Sequence, residues 1–185
     1  MSFVGLIAGA GEKAESLKRF LQSPDGVQLQ VEIRQKQFEQ QNIITGTIEI
    51  LALDKYLFDS ENETIVVQGS TVRTWNKQTR QLILDGIIKG EFNLFQLLTG
   101  NFKGVEFTKS SRSGDLTKLN YEIKTMGFNG YITFDSESGR PVDLTMYYSP
   151  DQSFKITITG VSTLKRESLF NSFAPDALEV IDLRE

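Results

Sequence analysis

TGTIEILALDKYLFDSENETIVVQGSTVRTWNKQTRQLI, residues Thr45–Ile83, is the stretch on which the fold is decided. Gly46, Ile48 and Ile50 fall on one face and Thr45, Thr47 and Glu49 on the other, the period of two that an extended strand imposes. Asp54-Lys55 interrupts this run and Tyr56-Leu57-Phe58 begins another, ended by the polar turn Ser60–Glu63. Thr64–Gln68 and Thr71–Trp75 flank Gln68-Gly69-Ser70, a hairpin turn, and Asn76–Thr79 turns the chain again into Gln81–Leu84. The stretch therefore reads as short strands joined by tight turns, carrying Tyr56, Phe58 and Trp75 as an aromatic cluster.

The same pattern extends in both directions. Upstream, Ala14, Leu17, Phe20 and Leu21 recur at helical spacing between charged residues, so Glu12–Gln22 is expected as an amphipathic helix stopped by Pro24 and Gly26. Val27, Leu29, Val31 and Ile33 then alternate with polar residues in a strand running to about Phe38, with a turn at Gln40–Asn42. Downstream, Phe92–Leu98 (FNLFQLL) spreads apolar residues around most of a helix and is expected as a short helix buried on several sides. Leu119, Tyr121 and Ile123, then Val142, Leu144 and Met146, then Phe154, Ile156 and Ile158, alternate with polar partners. Ser136–Gly139 and Ser149–Gln152 are the turns between the later runs, so antiparallel neighbours are expected. Arg166–Phe173 reads as one more short helix and Leu178–Leu183 as a terminal strand.

Composition narrows the function. The chain has 185 residues and a net charge of −4, with both signs interspersed, which argues against a nucleic-acid partner needing a basic face. There is no Cys and no His, so disulfides, thiolate metal sites, cysteine nucleophiles and the commonest general base and metal ligand are all excluded. Asp54, Asp59, Glu61 and Glu63 crowd one turn region but lack the ligand spacing of a calcium loop. No catalytic residue, metal or cofactor is assigned, and the chain is expected not to be an enzyme. No apolar run is long enough for a membrane-spanning helix, so stable membrane insertion is not expected. Phe3–Ala10 is a short apolar run ending in the A-x-A pattern Ala8-Gly9-Ala10, without a basic segment before it. Residues 1–10 are read as a leader, either a signal-peptide remnant or a small-residue extension without a targeting role, and residues 11–185 as one domain.

Strands spaced every eight to twelve residues predict a mainly β fold of about eleven strands. Three short helical pieces are too few to roof a flat sheet of that width. The sheet is expected to curl over them, giving a barrel or half-barrel with helices across its open side, with a two-sheet sandwich as the alternative; the same inward residues would serve a solid core or an apolar cavity.

In the order of these pieces the chain resembles the LolA family of periplasmic outer-membrane lipoprotein carriers, over nearly everything after Gly11. The family pattern is a glycine-led alternating strand, a short aromatic strand, then D-G-x-T-x-W-x-Y-(N/D) and a turn into Q-V. Gly46–Ile50, Lys55–Phe58, Gly69–Asn76 and Gln81-Leu82 match it, as do Leu94–Gly100 and the ending Phe173-Ala174-Pro175 with Glu179–Asp182. Gln68 replaces the aspartate, Arg73 the tryptophan and Trp75 the tyrosine. Ala52 and Leu53 stand where proteobacterial members carry an Arg-Pro pair linked to closing the lid, so this chain looks closer to the form found in Bacteroidetes-type diderms.

The resemblance implies a half-open antiparallel β-barrel capped by short α-helices, whose apolar interior shelters lipoprotein acyl chains between the inner and outer membranes. It implies a monomer in the periplasm, acylated lipoproteins as cargo, loading from an inner-membrane ABC-type exporter and release to an outer-membrane acceptor. An alternative is a module of the same fold binding another lipid or amphiphile, or sensing envelope stress. The candidate cavity wall is Leu29, Val31, Ile33, Ile48, Ile50, Tyr56, Phe58, Trp75, Tyr121, Ile123, Leu144 and Met146, and the candidate lid is Leu17, Leu21, Phe92, Phe95 and Leu98. Arg73 is read either as a polar group at the cavity mouth or as an outward residue on an edge strand.

Overall fold

The computed structural model describes residues 5–87, 94–164 and 168–184. Helix α1 (Gly5–Leu21) leads into β1 (Val27–Gln37), β2 (Gln40–Ala52), β3 (Lys55–Ser60), β4 (Glu63–Gln68), β5 (Thr71–Asn76) and β6 (Gln81–Gly86). After the short helix α2 (Leu94–Leu98) come β7 (Glu106–Ser113), β8 (Leu116–Ile123), β9 (Phe128–Asp135), β10 (Pro141–Ser149) and β11 (Gln152–Thr163). Helix α3 (Leu169–Ser172) and β12 (Glu179–Asp182) close the chain. All these strands join one sheet in the order β12-β6-β5-β4-β3-β2-β1-β11-β10-β9-β8-β7.

The sheet is two meanders, β1 to β6 and β7 to β11, joined where β11 pairs antiparallel with β1. Each hairpin needs only a tight turn, so successive strands pair with their chain neighbours. One face is apolar by alternation. Val27, Leu29, Val31 and Ile33 of β1 are at most 3% exposed, while on the other face Gln28 and Glu32 are half-buried and Gln30 and Arg34 are exposed. Because directly paired residues share a face, the apolar positions line up across strands. One row runs Ile44, Ile33, Ile156, Leu144, Ile132 and Leu119.

Helix α1 lies across this face against β7 and β8, with Ala14, Leu17 and Leu21 in the shared core. Its approach is close at two turns. Gly139, at φ 75°, sits where a Cβ would overlap the Ser16 backbone, and Gln22 Nε2 donates to the Gly100 carbonyl at 3.1 Å just beyond α2.

Among the described residues the sheet has twelve strands, in line with the expected number of about eleven, and β7 and β9 are the two that the sequence does not mark individually. Strand β7 reads EFTKSSRS and takes its conformation from pairing with β8. In β9 the alternation is interrupted by Gly130, where a side chain would overlap the Tyr121 ring and the Thr145 carbonyl. The β1–β2 turn is Phe38-Glu39 rather than Gln40–Asn42: Gln37 pairs with Gln40, and Phe38 takes φ 54° without the glycine or asparagine that usually marks such a turn. Helix α1 begins at Gly5 rather than Glu12, α3 spans Leu169–Ser172 within the expected Arg166–Phe173, of which Arg166 and Glu167 lie outside the described residues, and β12 pairs parallel with β6.

Candidate functional site

The concave apolar face is the candidate site. Leu29, Val31, Ile33, Ile48, Ile50, Tyr56, Phe58, Tyr121, Ile123, Leu144 and Met146 are all buried, at no more than 3% exposure. All except Tyr56 belong to one core cluster with Leu17, Leu21, Leu97 and Leu98 of the helices. The helices thus fill the concavity of the sheet. Phe95 stacks on Phe58 with ring centroids 5.5 Å apart and reaches Tyr56 at 6.5 Å, so α2 is keyed to β3 through three aromatic rings. Phe92, the remaining lid candidate, lies outside the described residues.

Trp75 does not belong to this face. Its partners in the sheet are Thr64 and Leu82, one residue out of phase with the row Phe58, Ile65, Thr74 and Ile83. It therefore points to the convex side with Arg73 and Val66. Aromatic character alone suggests the wall, whereas the period of two along β5 decides the face.

Arg73 lies on the convex side as well, and β5 is an inner strand between β4 and β6 rather than an edge. Its guanidinium sits 5.0 Å from the centre of the Phe173 ring. Ala52 and Leu53, the positions of the family's lid-closing pair, are both exposed at the β2–β3 turn.

The convex side carries a second small core, made by Leu57, Val66 and Phe170 with Leu51 and Phe173 against it. It is held by Glu49, a carboxylate at 0% exposure on the polar side of β2. Glu49 Oε1 accepts the Leu169 amide at 3.0 Å and the Gln28 side chain at 3.1 Å, and Oε2 accepts the Phe170 amide at 3.0 Å. The amides that begin α3 have no partner within the helix, and an anion there satisfies them. Lys55 Nζ lies 4.6 Å from the Phe170 ring centre, and Arg80 pairs with Asp176 before β12 adds to β6. Residues Ser168–Leu178 form a strap over the outside of β2 to β5, and β12 then extends the sheet beside β6. Alternation identifies Glu49 as outward-facing; the sequence carries no signal that it is buried.

Two tyrosines are buried on the concave side and treated differently. Tyr121 Oη donates to the Thr145 carbonyl at 3.0 Å in the space left by Gly130, and burial pushes its phenol up strongly. Tyr56, 2% exposed, has a buried hydroxyl with no hydrogen-bond partner among the described residues, and burial pushes its pKa up to about 12.

Among the described residues no group of three or more carboxylates, His or Cys converges as a metal ion would need. The acidic turn is spread out: Asp59 accepts from Thr64 Oγ1 and from Lys77 Nζ, the latter at 2.8 Å, while Asp54 and Glu61 are exposed.

The sequence matches no protein-family model and no curated protein. Its fold is shared with a solved structure of an uncharacterized conserved protein from Thermus thermophilus, at TM-score 0.63 and 10% identity over 94% of this chain and 99% of that one. It is also similar to a LolA superfamily protein from Nitrosomonas europaea, at TM-score 0.49 and 10% identity over 84% and 94% of the two chains. A putative outer membrane lipoprotein-sorting protein domain from Vibrio parahaemolyticus matches at TM-score 0.49 and 11% identity, over 88% of this chain and 97% of that one. The architecture is the curled β fold with helices across its open side that strand spacing predicts: one curled, mostly antiparallel sheet with short helices in its concavity.

Proposed function

We propose that this protein is a non-catalytic carrier in the cell envelope that shelters the acyl chains of lipoproteins against its concave face and moves them across the periplasm. The observation that carries the reading is what fills that face. A continuous apolar surface on β1 to β3 and β8 to β11 is covered by side chains from two helices, α1 and α2, rather than by a second sheet. A helix packed on a sheet moves as a unit, so withdrawing one exchanges protein side chains for another apolar filling without unpairing a strand.

Each methylene sheltered from water contributes about 0.8 kcal/mol, so several acyl chains would be held too tightly to release if fully buried. Refilling of the concavity by Leu17, Leu21, Leu97 and Leu98 as cargo leaves offsets part of that gain. An ATP-driven exporter in the inner membrane supplies loading, and an acceptor at the outer membrane supplies release.

The test is uptake of a hydrophobic dye whose fluorescence rises out of water, followed by displacement with a triacylated lipoprotein. Enhancement by the dye and competition by the lipoprotein, but not by the same protein without its acyl chains, is the expected result. A protein that takes up neither is not a carrier.

A further inference from the structure

We propose that Tyr56 is a polar anchor inside the apolar site, its hydroxyl donating a hydrogen bond to the ester or amide carbonyl at the head of a bound acyl chain. This rests on the carrier reading above and adds a specificity to it: acyl rather than alkyl ligands.

The argument starts from cost. A buried hydroxyl that gives up its water contacts without gaining a protein partner destabilises the fold, and native interiors pair such groups. Tyr121 obeys this rule through the Thr145 carbonyl, in a space opened by the absence of a side chain at Gly130. Tyr56 does not. It is 2% exposed, and its hydroxyl has no partner among the described residues.

Among the described residues its surroundings offer no reason for an oxygen atom. Its paired neighbours across the sheet are Ile50 and Val67, and its ring faces Phe95, which also stacks on Phe58. Phenylalanine satisfies the packing at positions 58 and 95, so packing alone would be met by phenylalanine at 56. A donor placed against the element that the carrier reading makes the lid meets its acceptor when that element gives way to a ligand. A phenol held up at about 12 stays protonated throughout the neutral range, so it acts as a donor and not as an anion. The matching acceptor must be apolar enough to enter and carry a carbonyl, which describes a fatty ester or amide.

The experiment compares dipalmitoyl phosphatidylglycerol with its dihexadecyl ether counterpart, which has the same headgroup and hydrocarbon without the ester carbonyls. Both are used as competitors of the bound dye, on the wild-type chain and on Tyr56→Phe. One neutral hydrogen bond corresponds to about a five- to tenfold preference for the ester lipid in the wild type. In Tyr56→Phe the ester should fall to the affinity of the ether. A wild type without preference, or a variant that keeps it, overturns the anchor and leaves the carrier reading standing. Failure of both lipids and the dye to bind removes the carrier reading and the anchor with it.

Infrared spectra of isotope-labelled ester carbonyls bound to the wild type give a readout that needs no variant. A shift to lower frequency than in an apolar solvent is expected, and an unshifted band overturns the proposal.

Discussion

Glu49 and Tyr56 are both buried polar side chains, and among the described residues only one of them has hydrogen-bond partners. Glu49 is a carboxylate taken out of water and satisfied by two amides and an amide side chain, so removing it orphans the groups it serves. Glu49→Ala is expected to destabilise the protein by about 1–3 kcal/mol and to speed hydrogen exchange at the Leu169 and Phe170 amides. Unchanged exchange there would mean that α3 is held by packing alone. Tyr56 is the converse, a hydroxyl without a partner among the described residues. Tyr56→Phe should leave the ligand-free protein as stable or more stable, by about 1 kcal/mol, in denaturant titration. The same substitution has a signature in alkali. The phenol titrates near 10 when unfolded and about 12 when folded, so its contribution is complete below pH 10 and is lost as pH rises through about 12. Tyr56→Phe should therefore respond differently from the wild type between those values: the wild type carries a pH-dependent term there that the variant lacks.

At the scale of elements, the strap and α1 are docked on opposite faces of the sheet. Phe170 is the apolar anchor of the strap, and Phe170→Ala should cost about 3 kcal/mol by emptying the space over Leu57 and Val66. Limited proteolysis of the C-terminal strap, compared with wild type, checks that the loss is local. Helix α1 depends on a turn that must lack a side chain. Gly139→Ala adds a methyl group against the Ser16 backbone at a positive φ, so a loss of more than about 1 kcal/mol is expected. If α1 is a lid, the same variant should take up more hydrophobic dye than wild type; equal uptake at equal folded fraction would show that α1 is not the element that moves. Leu17→Ala offers a second measurement from the helix itself, with an expected cost of about 2–5 kcal/mol.

At the scale of the whole molecule, one sheet has an apolar core on each side, a large one under the helices and a small one under the strap. Much of this was legible. Period-two alternation in β1, β2, β8, β10 and β11 put Leu29, Ile48, Tyr121, Leu144 and their neighbours on one face, and the structure buries them together. Strand β7 was not legible because most of its residues are polar and only pairing with β8 makes it a strand. Strand β9 was obscured by Gly130, which makes room for Tyr121 on the neighbouring strand, a partner that is adjacent in space rather than in sequence. Trp75 was misplaced because residue type was weighed above phase.

By itself the sequence determined most of the elements, the curled β architecture and the apolar lining, since these follow from local periodicity and from the shortage of helix to cover a wide sheet. Only the tertiary structure decided what meets that lining, which side Trp75 faces, and the fates of Glu49 and Tyr56. The physical reason is that partners for a buried carboxylate or hydroxyl come from segments far along the chain. Leu169 lies 120 residues from Glu49, and no local pattern records that distance.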